Sequence, residues 1–259
     1  MATRFAALPR RRCLHGAVPC APDDLKLEAM RKLLQTRLTR HSRRAVLSSR
    51  INGLRLCRAH VGGSTIEGGG NGLFASREIA AGELITFYPG DVIESGERAE
   101  LSEYEVRFEF DGVESVRVIG DASLTGDAAY LGHMSNDCGR CLTPTAMAMR
   151  DYALTAAAHA NTDHHAIEDS HIATVASRQI AMGEELFVSY GPGYWLTRQG
   201  YSVAEVHAAE VDLGLEIRRG GELAKTILRA LQERGAQSFP PWILECFEKS
   251  KAHAPKPQA

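Results

Sequence analysis

Short apolar segments bounded by glycine occupy the middle of the chain and predict β-strands. The predicted strands are Leu54 to His60, Leu73 to Ala75, Leu84 to Tyr88, Glu103 to Phe110, Val116 to Ile119, His171 to Val175 and Glu185 to Tyr190. Between Glu103 and Phe110 apolar and charged residues alternate, as in a strand with one buried face. A longer stretch rich in Ala and Met, from Thr143 to Ala160, predicts a helix inserted between strands. The pattern therefore indicates an α+β fold.

Apolar residues with helical spacing lie on both sides of this region. Upstream, Pro22 followed by two aspartates predicts the start of a helix over residues 23–50, one face of which is basic. Downstream, apolar positions repeat every three to four residues and predict helices that pack on the preceding domain. These helices cover Val203 to Ile217, Glu222 to Arg234 and Pro241 to Lys249. The chain is thus divided into an arm (1–22), a basic helix (23–50), a strand-rich domain (54–191), a helical extension (192–250) and a loose tail (251–259).

The net charge of −2 conceals an uneven distribution of charge. Residues 1–50 contain 12 Lys and Arg against 3 Asp and Glu, whereas the remaining residues contain 18 against 29. A basic arm ahead of an acidic body predicts contact with a polyanion, such as nucleic acid or an anionic membrane face; the alternative is a solvated helix face. Residues 1–22 carry four arginines and no acid, which is typical of an organellar transit peptide or of a disordered basic tail.

Six irregularly spaced cysteines favour a reducing compartment and free thiols. No run of about eighteen apolar residues occurs, so no membrane-spanning helix is predicted. We expect an intracellular monomer in the nucleus or cytoplasm, or in an organelle if residues 1–22 are a transit peptide.

Four short motifs carry the candidate chemistry. Gly68-Gly69-Gly70-Asn71-Gly72 is a glycine-dense turn, in which the backbone can approach a ligand or adopt positive φ. It is followed by Tyr88-Pro89-Gly90, by Asn136-Asp137-Cys138, and by Gly183-Glu184-Glu185-Leu186 running to Tyr190-Gly191. In order and spacing these motifs, which span about half of the chain, resemble the SET domain of protein-lysine methyltransferases.

The resemblance implies a β-rich fold whose closing strand passes through a loop as a pseudoknot. It also implies transfer of methyl groups from S-adenosyl-L-methionine to exposed lysines of histones or other proteins. Cofactor contacts are expected from Gly70, Asn71, Gly72, Leu73, Asn136, Asp137 and Tyr190. Catalysis is assigned to Tyr190 and Tyr88, and the lysine channel to Tyr88, Val188, Tyr194 and Trp195. Because a sulfonium methyl needs only an in-line, deprotonated amine, positioning and desolvation are the expected sources of rate.

The chain departs from the family pattern in several places. Asp137 stands where the family usually has His, and Val188 stands where it carries Phe or Tyr. The insertion from Gly139 to Ala160 is longer than usual, and the cysteine cluster that binds zinc after many SET domains is missing. These departures motivate a second hypothesis, a non-catalytic SET-like module that binds protein or nucleic acid.

A third hypothesis concerns metal. Cys138 and Cys141, with His159 and His164, have a spacing that would allow a tetrahedral zinc site. The alternative is that these are exposed loop residues that bind no metal. Glu184 and Glu185 are predicted to lie in a solvated turn that leads into the last strand, with a structural role.

Overall fold

A computed structural model of the chain describes residues 55–89, 91–93, 104–110, 114–120, 123–167 and 171–221, together with residues 224–226, 229, 242, 243 and 246. The predicted arm, basic helix and tail lie outside these ranges. Within them are eight strands, a 3-10 turn at Gly132–Met134 and three helices.

The eight strands form three small antiparallel sheets. The first sheet pairs β1 (Ala59–Gly63) with β2 (Asn71–Ala75). The second has the order β3 (Leu84–Phe87), β8 (His171–Ala176) and β7 (Thr162–Ile167). The third has the order β4 (Asp91–Ile93), β6 (Glu114–Ile119) and β5 (Glu105–Phe110).

The first two sheets share an apolar core. Leu73 of β2, Ile85 of β3 and Leu186 near the end of the domain are fully buried in it. Complete burial of one such side chain contributes about 1.5–3 kcal/mol to folding. This core therefore ties the glycine-rich turn before Leu73 to the last motif of the domain.

The three helices form a second core. They are α1 (Ala146–His159), α2 (Pro192–Arg198) and α3 (Val203–Arg218). The Thr145 side chain caps the start of α1, and Ser202 and Glu205 form a capping box at the start of α3. Met149, Leu196 and Leu213, one from each helix, are fully buried in this core.

Most of the predicted elements are confirmed, with ends shifted by a few residues. The strands predicted around residues 73–75, 84–88, 103–110, 116–119 and 171–175 are present, as are the inserted helix and the helix over 203–217. The first strand begins only at Ala59, and Leu54 lies outside the described residues. Most of residues 222–234 and 241–249 also lie outside them, so those two helices stay predictions.

The strand predicted from Glu185 to Tyr190 is wrong. This segment makes only isolated bridges, Phe74 with Glu185 and Asn136 with Phe187, because its partners lie in different parts of the chain. The prediction missed β4, β7 and α2. In β7 an aspartate and two histidines obscure the strand pattern, and α2 is short and contains glycine. Among the described residues, none of the helices combines the length and apolarity that crossing a membrane requires.

Asp163, in β7, gives the fold a predicted pH dependence. Burial raises the pKa of its carboxyl to about 6, so the folded protein binds a proton more tightly than the unfolded chain. The stability that this group contributes is therefore greatest at low pH and is lost as the pH rises through 6. We expect Asp163→Asn to raise the free energy of unfolding at pH 7.5 by on the order of 1 kcal/mol, with a smaller change at pH 4. Urea titrations at both pH values measure this.

Asp212→Asn is the matched control, because Asp212 is exposed on α3. It should change the stability little at either pH. An Asp163→Asn protein less stable than the wild type at pH 7.5 would show that the carboxylate is better solvated than its burial indicates.

Candidate functional site

Residues 184–191, here called the closing segment, lie between three other parts of the chain. The Leu186 amide donates to the Leu73 carbonyl at 2.7 Å, and the Val188 amide donates to the Asn136 carbonyl at 3.0 Å. The Phe187 carbonyl accepts the Thr162 amide at 3.0 Å. Buried backbone groups need such partners. The closing segment therefore brings the glycine turn, the Asn136 motif and β7 to one place.

Asn161 fixes the closing segment from the β7 side. Its side-chain nitrogen donates to the Glu185 carbonyl at 2.8 Å, and its side-chain oxygen accepts the Phe187 amide at 2.8 Å. The asparagine is fully buried. It therefore replaces the backbone partner that a regular neighbouring strand would have provided.

The glycine turn lies against the Asn136 motif. The Asn136 Nδ2 atom donates to the Asn71 carbonyl at 2.9 Å and lies 3.5 Å from the Gly69 carbonyl. Gly70 adopts a positive φ of 64°, a conformation that favours glycine. Two of the motifs predicted to contact a cofactor are thus joined directly.

Glu185 lies beneath this turn. Its carboxylate accepts the Ser64 hydroxyl at 2.7 Å and the Thr65 amide at 2.6 Å, and only 4% of the residue is exposed. A Cβ atom at Gly72 would lie 2.2 Å from Glu185 Oε1. The solvated turn predicted for Glu185 is therefore wrong: the residue is buried and holds the β1–β2 loop.

Tyr190 lies next to the Asn136 motif. Its hydroxyl donates to the Ser135 carbonyl at 2.8 Å. Burial is the main cause that raises the pKa of the phenol well above its usual value, so the phenol stays protonated at neutral pH. The Tyr190 ring lies 4.6 Å from that of Tyr194 and stacks at 6.1 Å on that of Trp195.

Tyr88 is buried between two histidine rings. It meets His133 and His164 edge-on, at 6.1 Å and 5.4 Å, and its hydroxyl donates to the Tyr104 carbonyl. Burial, more than the neighbouring His165, lowers the pKa of His164 to about 3, so this imidazole is neutral at physiological pH. Tyr88 also contributes, after burial and Tyr194, to the raised pKa of Tyr190. The aromatic cluster around Tyr190 therefore gains no positive charge from His164.

Tyr194, Trp195 and Val188 occupy three different environments. The Arg198 guanidinium lies 3.7 Å from the centre of the Tyr194 ring. The Trp195 indole donates to the Asp137 carboxylate at 2.9 Å, and Val188 is only 3% exposed. The structure thus places Tyr194 and Trp195 against Tyr190, whereas Val188 is packed inside.

Asp137 and Tyr152 form a contact that the sequence patterns did not reveal. The Tyr152 hydroxyl, on α1, donates to the Asp137 carboxylate, which is only 6% exposed. Tyr152 lies in an insertion whose sequence matches no motif. The only signal in the sequence was an aspartate at the position where the family usually carries histidine.

The four residues considered for zinc do not come together. The Cys138 and Cys141 thiols donate to the Thr155 and Thr143 carbonyls, and His164 Nδ1 lies 3.1 Å from the Thr174 hydroxyl. Burial raises the pKa of Cys138 to about 12, which disfavours the thiolate that zinc requires. Over the part of the chain that the structure describes, no three His, Cys, Asp or Glu side chains are grouped to hold a metal ion.

Comparison with known proteins gave a family and a structural neighbour. Residues 70–191 match the family model of the SET domain. A solved structure, the SET domain of the RIZ1 tumor suppressor (PRDM2), shares 18% sequence identity over 62% of this chain and 80% of that chain, with a TM-score of 0.34. No curated protein matches the sequence.

The close approach at Gly72 predicts a steric effect of substitution. We expect Gly72→Ala to lower the free energy of unfolding by about 1–3 kcal/mol, because the Glu185 carboxylate is fixed by hydrogen bonds and cannot move aside easily. Gly63→Ala is the matched control, since an added Cβ there meets nothing within 4 Å. Thermal or urea unfolding of both variants checks the difference. Equal stabilities would mean that the Glu185 side chain moves freely.

Proposed function

We propose that the chain, whose residues 70–191 match the family model of the SET domain, is a protein-lysine N-methyltransferase that uses S-adenosyl-L-methionine. The observation that carries the proposal is the position of the Tyr190 hydroxyl. It donates to the carbonyl of Ser135, and the next residue, Asn136, binds the glycine turn. A phenol group, an amide side chain and a glycine-lined backbone therefore meet at one site.

The residues at this site fit the cofactor. Its amino-acid part would contact the backbone from Gly70 to Leu73, the Asn136 side chain and the main chain at Asp137. The buried Ser135 hydroxyl, next to Asn136 in the chain, has no hydrogen-bond partner among the described residues. Such an unsatisfied polar atom is unusual in a native protein and supports a polar ligand nearby.

Bound S-adenosyl-L-methionine would supply an electrophilic methyl group. The chain's own residues would orient the acceptor lysine and favour its neutral amine. Tyr88, Tyr190 and Tyr194 would line the lysine channel, with Trp195 beside them, and attract the ammonium as it enters. Burial then disfavours the charged form of the amine. The phenol oxygen of Tyr190 and the carbonyl of Ser135 would hold polarised methyl hydrogens through weak C–H···O contacts.

The path of the closing segment supports the pseudoknot. Its backbone is bonded to residue 73 on one side and to residues 136 and 161–162 on others, although these lie far apart in sequence. We propose that residues 184–191 are threaded through the loop that precedes them. Partners are proposed on the same basis: a protein with an exposed lysine as substrate, and a polyanion at residues 1–50, in the nucleus or cytoplasm.

Tyr190→Phe tests the catalytic assignment. With labelled S-adenosyl-L-methionine and basic proteins as acceptors, we expect the rate of lysine methylation to fall about 10²-fold or more, because the hydroxyl no longer positions the reacting groups. Tyr201→Phe, a substitution outside the site, should leave the rate unchanged. Equal rates for the wild type and Tyr190→Phe would contradict the role of Tyr190.

Asn136→Ala tests the cofactor assignment. We expect its dissociation constant for S-adenosyl-L-methionine, measured by calorimetry, to rise about tenfold, since an amide that holds the glycine turn is lost. A wild-type chain that does not bind the cofactor would overturn the enzyme proposal. The non-catalytic binding module would then remain, and it predicts partner binding that survives Tyr190→Phe.

A further inference from the structure

The Asp137 carboxylate lies at the centre of a buried hydrogen-bond network. Its Oδ2 atom accepts the Tyr190 amide and the Trp195 indole, each at 2.9 Å, and also the Tyr152 hydroxyl. Its Oδ1 atom accepts the Gly139 amide at 3.0 Å. Four donors of the protein thus point at this carboxylate, three at Oδ2 and one at Oδ1.

The network holds Tyr190 at two points. One is the Tyr190 amide, which binds Asp137 directly. The other is the ring, which stacks on Trp195 at an angle of 22°, while the Trp195 indole is bonded to the same carboxylate. The position of the phenol thus depends on Asp137 through both backbone and ring.

The inserted helix α1 contributes Tyr152 to this network. The Tyr152 hydroxyl accepts the Gly191 amide at 2.9 Å and lies 2.9 Å from the Ser189 hydroxyl. The residues on both sides of Tyr190 are therefore bonded to the same phenol group. Tyr152 is only 2% exposed, and its ring packs against that of Trp242 at 5.8 Å.

We propose that Asp137 and Tyr152 are positioning residues for the reaction: the inserted helix, acting through this pair, sets the place of the Tyr190 hydroxyl. The inference rests on the proposed methyltransferase function. Because four donors of the protein already point at the carboxylate, we assign the Asp137 side chain to Tyr190 and not to the cofactor. The insertion is then part of the catalytic unit of this chain.

Asp137→Asn tests the inference. The side chain that replaces the carboxylate has one accepting oxygen and one NH2 group, which can only donate. In either orientation, this NH2 group faces an N–H donor of the network. We expect kcat to fall at least tenfold while the calorimetric affinity for S-adenosyl-L-methionine changes less than threefold. Asp212→Asn should change neither. An affinity that falls as much as kcat/KM would overturn the proposal, because it would make the Asp137 side chain a cofactor contact.

Tyr152→Phe provides a second variant should Asp137→Asn fail to fold. It should lower kcat in the same direction with unchanged cofactor affinity, and Tyr201→Phe is its control. In the double variant the two effects should not add, since both act through one network. Full additivity, or an unchanged kcat in Tyr152→Phe, would overturn the role of the inserted helix.

A spectroscopic measurement separates this inference from the proposed function. The chain has two tryptophans, so its ¹⁵N spectrum contains two indole N–H resonances, which a Trp242→Phe variant assigns. Asp137→Asn should shift the Trp195 resonance in the absence of any cofactor or substrate; an unshifted resonance would overturn the network.

A wild type without activity would overturn the proposed function and this inference, whereas an active wild type with unaffected variants would overturn the inference alone.

Discussion

The backbone of the closing segment forms hydrogen bonds on more than one side, and the site depends on these bonds. Leu186 is bonded to β2, Val188 to the Asn136 motif, and Phe187 to the start of β7. A segment bonded in this way cannot move without breaking contacts to all three regions. Tyr190 follows directly, so these bonds fix the path of the backbone that leads to it.

Two buried carboxylates, Glu185 within this segment and Asp137 beside it, are stabilised by polar partners. Transfer of an ionised group from water to a protein interior is unfavourable unless hydrogen bonds replace those to water. Glu185 receives donors from the β1–β2 loop, and Asp137 receives them from Tyr152, Trp195 and the backbone. Burial nevertheless raises the pKa of Asp137, against the opposing effect of these bonds. The closing segment is thus fixed by electrostatic contacts at both ends and by apolar packing at Leu186.

Local patterns in the sequence predicted the helices of α1 and α3, most strands and the motifs that meet at the site. These signals are short-range: the spacing of apolar residues, a glycine-dense turn and a motif ending in Tyr190. The closing segment was predicted as a strand because Leu186 and Val188 alternate, yet its partners are determined by tertiary contacts. Glu185 and Tyr152 were missed for the same reason, since nothing in their local sequence indicates which distant groups they bind.

Cys138 illustrates how the site tolerates a sulphur nucleophile. It follows Asn136 by two residues, and burial raises the pKa of its thiol to about 12, so the thiol is protonated at neutral pH. Thiols react with alkylating groups and oxidants almost only as thiolates. Under the proposed function, this protonated thiol would react only slowly with an activated methyl group bound near Asn136, and the same burial makes the residue resistant to oxidation.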